Sequence, residues 1–88
     1  MPIQDTNRAE ALALAALSWA LAEPARAQRL LALSGLTPDD LRGRIGDPTL
    51  LAAALGFLEA HEPDLLAAAD ALEVDPGDLV EARRRLEA

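Results

Sequence analysis

Cysteine, lysine and tyrosine are absent from this 88-residue sequence, and Trp19 and Phe57 are its two aromatic residues. Without cysteine the chain has no disulfide framework, no thiolate ligand for a metal and no cysteine nucleophile. Basic residues are also scarce, because eight arginines stand against fifteen Asp and Glu residues, for a net charge of −7. This balance argues against a nucleic-acid-binding surface, since neutralising phosphates requires a basic face.

Residues that favour β-strands are few as well, and Val, Ile and Thr together number seven. Twenty alanines and eighteen leucines dominate the composition, and both residue types are strong helix formers. Hydrophobic residues make up 51% of the chain and recur with helical spacing, which argues against disorder. The composition therefore predicts an all-α fold, and the length fits a single domain over residues 1–88.

The longest apolar stretch runs from Ala11 to Ala22 and is interrupted by Ser18 alone. It is shorter than the ~20 residues that a membrane-spanning helix needs. Asp5, Arg8 and Glu10 precede it, so it also lacks the positively charged segment that begins a signal peptide. The sequence therefore predicts a cytoplasmic protein without a membrane segment.

Prolines mark the helix starts, because five of the six stand where a first helical residue is expected. The residues before these five are Glu23, Thr37, Asp47, Glu62 and Asp75. Thr and Asp accept the free N–H groups of a first turn, and Glu complements the helix dipole. Gly35 and Gly46 are expected to adopt the left-handed conformation that ends a helix. The pattern predicts six short helices, at about residues 7–22, 24–34, 38–45, 48–61, 63–73 and 76–87.

The two halves of the sequence resemble each other at an offset of 38 to 39 residues, a period at which helical repeats occur. The matching segments are residues 15–19 with 53–57, 23–24 with 62–63, and 36–41 with 74–79. Two units are too few for an open solenoid. We therefore expect pseudo-repeats at about 7–45 and 48–87 to form one compact bundle of two related three-helix halves.

The first helix carries large apolar residues on two sides. At 100° per residue, Leu14, Leu17 and Leu21 share one side, whereas Leu12 and Trp19 lie nearly opposite. In one interpretation this helix is central and buried on both sides. In the other, Leu12 and Trp19 are exposed and bind a partner protein or a second copy, since Trp is enriched in interface hot spots.

The fourth helix is amphipathic in the usual way. Its broad apolar side consists of Leu50, Leu51, Ala54, Leu55, Phe57 and Leu58. The opposite side consists of Ala52, Gly56, Glu59 and Ala60. The first set is expected to face the core.

Arginines occur in short groups, with Arg42 and Arg44 in the third helix and Arg83, Arg84 and Arg85 in the sixth. Such groups can hold a phosphate or an acidic partner. They can equally complement a helix dipole and pair with carboxylates one turn away. Both interpretations remain open at this point.

Patterns typical of catalysis are sparse. His61 is the single histidine, and it stands among oxygen ligands within residues 59–64. A metal or acid–base site there would need groups from elsewhere in the fold, and a histidine at a helix C-terminus also complements the dipole. Ser18 and Ser34 have no base at a recognisable spacing, so the sequence predicts no catalytic residue, no metal site and no cofactor.

Several segments spread from about Ala9 to Leu86 give the chain a family resemblance. They are residues 15–19, 30–42, 46–48, 57–58 and 62–66, of which 35–42 and 46–48 are the most specific. Together they resemble a family of short Ala/Leu-rich proteins, found mainly in alphaproteobacteria and classed as a domain of unknown function. The resemblance implies a bacterial cytoplasmic protein, and it implies no activity, ligand or functional residue.

The sequence thus predicts a small non-catalytic protein-interaction or regulatory module, with Leu12 and Trp19 in its contact surface. The expected partner is another protein or a second copy of the chain. The alternative is a module that binds nucleic acid or a phosphate ligand through its arginine groups. Such binding would weaken steeply as the salt concentration rises.

Overall fold

A computed structural model describes the backbone of residues 2–88 and the side chains from residue 7 onward. Within this range the chain forms six α-helices and no strand, which confirms the all-α bundle. The helices are α1 (Pro2–Leu21), α2 (Pro24–Ser34), α3 (Pro38–Gly43), α4 (Pro48–Glu59), α5 (Glu62–Leu72) and α6 (Pro76–Glu87). The largest difference from expectation is the start of α1, which lies five residues earlier than the pattern predicts.

The helix starts follow the predicted capping chemistry. The Asp40 N–H donates to the Thr37 hydroxyl at 3.0 Å, and the Thr37 N–H donates to the Asp40 carboxylate at 3.0 Å, so a capping box opens α3. Asp47 accepts from the Thr49 N–H at 2.8 Å and opens α4. Each start therefore pairs backbone donors that a helix leaves without an intrahelical partner.

Two expectations about helix ends are wrong. Glu62 was expected to cap α5 from outside the helix. It is instead the first residue of α5, and His61 is the N-cap. Gly35 has a φ of 78° and ends α2 as expected, but Gly46 is not left-handed. The C-cap of α5, Glu73, does adopt the left-handed conformation, with a φ of 58°.

The centre of the bundle is α4, which packs against α1, α2, α5 and α6. Its buried residues are Leu50, Leu51, Ala52, Ala54, Leu55, Phe57 and Leu58. The predicted apolar side is therefore buried as expected, whereas Ala52 was assigned to the opposite side and is also buried. Each fully buried leucine contributes ~1.5–3 kcal/mol relative to an exposed one, so α4 supplies much of the stability of the fold.

One side of α1 faces the core and the other faces solvent. The core side consists of Ala9, Ala13, Ala16, Leu17 and Ala20. The solvent side includes Ala11, Leu14, Ser18 and Leu21. The interpretation of α1 as a central helix buried on both sides is therefore wrong, because two of its leucines, Leu14 and Leu21, are exposed.

The two halves of the bundle pack differently. α6 packs closely against α1 and α4, and Leu79, Ala82 and Leu86 are buried there. Its counterpart α3 has no buried residue, and it reaches the core through the half-buried Leu41. The sequence duplication stays a prediction, and the chain does not use its third and sixth helices equivalently.

Candidate functional site

Leu12, which the sequence placed in a contact surface, is half-buried against the core. It lies in a shallow groove between α1 and α6 with a volume of about 150 Å³. The residues around it are Arg8, Ala9, Asp78, Glu81, Ala82 and Arg85. Leu12 therefore contributes mainly to the α1–α6 contact.

Trp19 is also half-buried, and an arginine covers its ring. The Arg26 guanidinium carbon lies 3.8 Å from the centre of the Trp19 ring, a cation–π distance. The same guanidinium donates to the Trp19 carbonyl and to the Glu23 carboxylate, each at 2.7 Å. These bonds join the end of α1 to the start of α2, so the geometry gives Trp19 a structural role. Its predicted part in partner binding stays a prediction.

Arg42 and Arg44 are both held by carboxylates near α3. Arg42 bonds to Asp39, and Arg44 Nη2 lies 2.9 Å from Asp47. Arg44 also lies 3.7 Å from Asp40. The hydrogen bond and charge of Asp47 raise the pKa of Arg44, so its guanidinium stays charged within this local network.

The three arginines of α6 pair with carboxylates of α4 and of α6 itself. Arg83 bonds to Glu59 of α4 and to Glu87 on its own helix. The Glu59 contact raises the pKa of Arg83. Arg84 and Arg85 both lie within 4.0 Å of Glu81. Among the described side chains, the α3 arginines and the α6 arginines pair with different carboxylates. Anion binding by Arg42, Arg44, Arg83, Arg84 and Arg85 stays a prediction.

The net negative charge of the chain resides on carboxylates that do not pair with an arginine. Each of the eight arginines lies within 4.0 Å of a carboxylate. Among the side chains from residue 7 onward, five carboxylates have no arginine partner, namely Glu10, Glu62, Asp70, Glu73 and Asp75. Three of these five, Glu62, Asp70 and Glu73, belong to α5 or its C-cap. The outward side of α5 is therefore acidic.

A partly buried ion pair that sequence reasoning missed lies beside the single histidine. Arg29 Nη2 of α2 donates to Asp64 Oδ2 of α5 at 2.7 Å, and Asp64 is buried. His61 Nε2 lies 3.9 Å from the same carboxylate oxygen. The 35 positions between Arg29 and Asp64 explain why no local pattern revealed the pair. Among the side chains that the structure describes, no three His, Asp or Glu residues are grouped to hold a metal ion.

A second concavity, of about 370 Å³, lies between α2 and α4. We call it the α2–α4 groove. It is lined by Leu33, Ser34, Ala53, Gly56, Phe57, Ala60 and His61. Leu33 is 73% exposed at its edge, while Phe57 is buried. Gly56 and Ala60 were predicted to face away from the core, and their small size leaves this space open.

The solvent side of α1 is a second uncharged surface, which we call the outer face of α1. It consists of Ala11, Leu14, Ser18 and Leu21. Leu14 is 39% exposed and Leu21 is 36% exposed. No helix in the part of the chain that the structure describes has the length and apolarity needed to cross a membrane, and α1 is included in that finding.

Comparison with known proteins gives the family of the chain. The model of a family described as "Protein of unknown function (DUF3572)" matches residues 6–88. The chain belongs to this family, which confirms the resemblance to a domain of unknown function. No curated protein and no solved structure matches the chain.

Proposed function

We propose that this protein is a small non-catalytic module that binds a segment of a partner protein in the α2–α4 groove. The observation that carries the proposal is the exposure of Leu33 beside an open apolar space. Exposed apolar patches of this kind tend to mark contact sites. A partner's aliphatic side chain entering the groove would contact Phe57, Ala53 and Leu33 and exclude water from all three.

The charge around the groove selects the chemistry of the partner. Glu62 follows the groove residue His61 and has no arginine partner among the described side chains. Arg83, whose Cδ lies near Gly56, is held by Glu59 and Glu87. The whole chain carries −7. A segment with an apolar anchor flanked by Lys or Arg therefore gains long-range attraction as well as burial.

The groove itself can be closed by one substitution. Gly56→Leu would place a side chain inside the groove, and a Cβ at this position meets only Arg83 Cδ at 3.9 Å, which is an ordinary contact. The change also replaces glycine, which is poorly suited to a helix interior, with a good helix former. Gly43→Leu is the matched control, because a Cβ at Gly43 meets nothing within 4 Å and Gly43 lies in α3.

The test is a titration with a synthetic amphipathic Leu/Lys peptide, monitored by backbone amide chemical shifts. We expect the largest shifts at Leu33, Ala53, Gly56 and His61. Gly56→Leu should weaken binding ~10-fold or more, because burying one leucine-sized side chain is worth ~1.5–3 kcal/mol, and Gly43→Leu should bind as wild type. Shifts centred on Asp70 and Glu73, or equal binding by both variants, would show that the peptide follows the acidic surface and that the groove is not the site.

A further inference from the structure

The outer face of α1 has the spacing of a helix–helix seam. Ala11, Leu14, Ser18 and Leu21 alternate at intervals of three and four residues, which is the spacing of a and d positions in a heptad. Ala11 and Ser18 supply the small positions, and Leu14 and Leu21 supply the large ones. None of the four is among the buried residues that bind α1 to the rest of the bundle.

We propose that the outer face of α1 binds a second copy of this chain, with the two α1 helices antiparallel. A twofold axis would cross α1 midway between Leu14 and Ser18. This places Leu14 against the second copy's Ser18, and Leu21 against the second copy's Ala11. Each large side chain then meets a small one, so the layers fill evenly. A parallel pair would instead place leucine on leucine and leave gaps at the small positions.

The absence of charge on this surface favours a second copy of the chain over a basic partner. Two chains that each carry −7 repel each other unless they meet where carboxylates are absent. Between Ala11 and Ala22 the sequence has no ionisable residue, so two copies can approach here without opposing carboxylates. Antiparallel pairing also brings the positive end of each helix dipole beside the negative end of the other. Between Ala11 and Leu21 a basic partner has no carboxylate to pair with.

The size of the seam sets the expected strength. Stable interfaces bury ~800 Å² on each partner, and two heptads of one helix offer less. The dimer should therefore be weak, with a dissociation constant of roughly 10 µM to 1 mM. Added salt should strengthen it, because screening reduces the repulsion between the two acidic chains.

Sedimentation equilibrium between about 10 µM and 1 mM, the range set by this weak affinity, tests the interface directly. Leu14→Glu places a carboxylate in the seam twice, once from each copy, and should weaken dimerisation ~100-fold or more. Ile45→Glu is the matched control, because Ile45 is 44% exposed and lies in the turn between α3 and α4. It should dimerise as wild type does. A wild-type chain that stays monomeric throughout, or equal association by both variants, would overturn the proposal.

The absence of cysteine allows a clean test of orientation. In the double variant Ala11→Cys, Leu21→Cys the two cysteines of one chain stand ~15 Å apart along the helix, too far for a disulfide within the chain. The antiparallel dimer should be cross-linked by two disulfides under mild oxidation. Ser18→Cys alone should cross-link poorly, because Ser18 opposes Leu14. Efficient cross-linking by Ser18→Cys would overturn the antiparallel arrangement, because Ser18 opposes the second copy's Ser18 only in a parallel pair. Gly56→Leu should leave dimerisation unchanged, which separates this proposal from peptide binding in the groove.

Discussion

The ion pair between Arg29 and Asp64 should be stronger than a surface pair and weaker than a fully buried one. The Asp64 side chain is 12% exposed and that of Arg29 is 44% exposed, with 2.7 Å between the bonded atoms. Exposed pairs contribute ~0–1 kcal/mol, whereas removing one partner of a buried pair costs ~3–5 kcal/mol. We therefore expect a coupling free energy of about 1.5 kcal/mol, above the range of exposed pairs and below that of buried ones.

A double-mutant cycle measures this coupling. Asp64→Ala should destabilise the protein by about 2 kcal/mol, since it also removes a carboxylate from the first turn of α5, where the dipole favours one. Each kcal/mol shifts the Tm of a domain this size by ~4–8 °C. Arg29→Ala and the double variant complete the cycle, with urea unfolding followed by helical circular dichroism at 222 nm.

The exposed pair Arg42–Asp39 provides the comparison for that cycle. Its side chains are 72% and 90% exposed, so its coupling should fall within the ~0–0.5 kcal/mol range of surface helix pairs. If the coupling of Arg29 with Asp64 is no larger than that of Arg42 with Asp39, burial of Asp64 adds nothing. The account of this pair as the link between α2 and α5 would then be wrong.

Two further predictions concern the helix ends. Arg26→Ala should lower the free energy of unfolding by about 2 kcal/mol and shift Trp19 emission to the red, because a cation–π contact and a carbonyl hydrogen bond are lost together. Arg26→Lys should restore less than half of that stability, and full restoration would contradict the role of the planar guanidinium. Acid should loosen α3 and α4. The Thr37 and Thr49 N–H groups, with Arg44, hold the pKa values of Asp40 and Asp47 below their ordinary 3.8, so their stabilising effect is present above that pH and is lost as the pH falls through the lower folded-state values. Thermal unfolding between pH 2 and 6 tests this. The Tm of the double variant Asp40→Asn, Asp47→Asn should fall less steeply with decreasing pH than the Tm of the wild type, and equal slopes would contradict the prediction.

The sequence predicted most of the fold because the signals for it are local. Prolines and the caps before them placed five helix starts to within a residue, and the caps at Thr37 and Asp47 form as expected. The start of α5 shows where a local signal fails. Glu62 was taken as a cap because it precedes a proline, yet the turn at the end of α4 makes His61 the N-cap. The residue at which a helix begins also depends on where the preceding helix ends, and the position of a proline carries no information about that.

The candidate surfaces were harder to predict because packing decides them. In α1 the large residues fall on several sides and alanine fills the rest, so periodicity does not tell which side faces the core. That choice is made by the neighbours, since α6 packs along the side with Leu12 and Arg26 covers Trp19. The largest side chain of α1, Trp19, is therefore half-buried, which its size alone does not indicate. In α1 the alanines let the neighbouring helices pack closely along one side, and the side left free carries Leu14 and Leu21. The same reasoning applies to α4, where Gly56 and Ala60 leave open the groove that Leu33 borders.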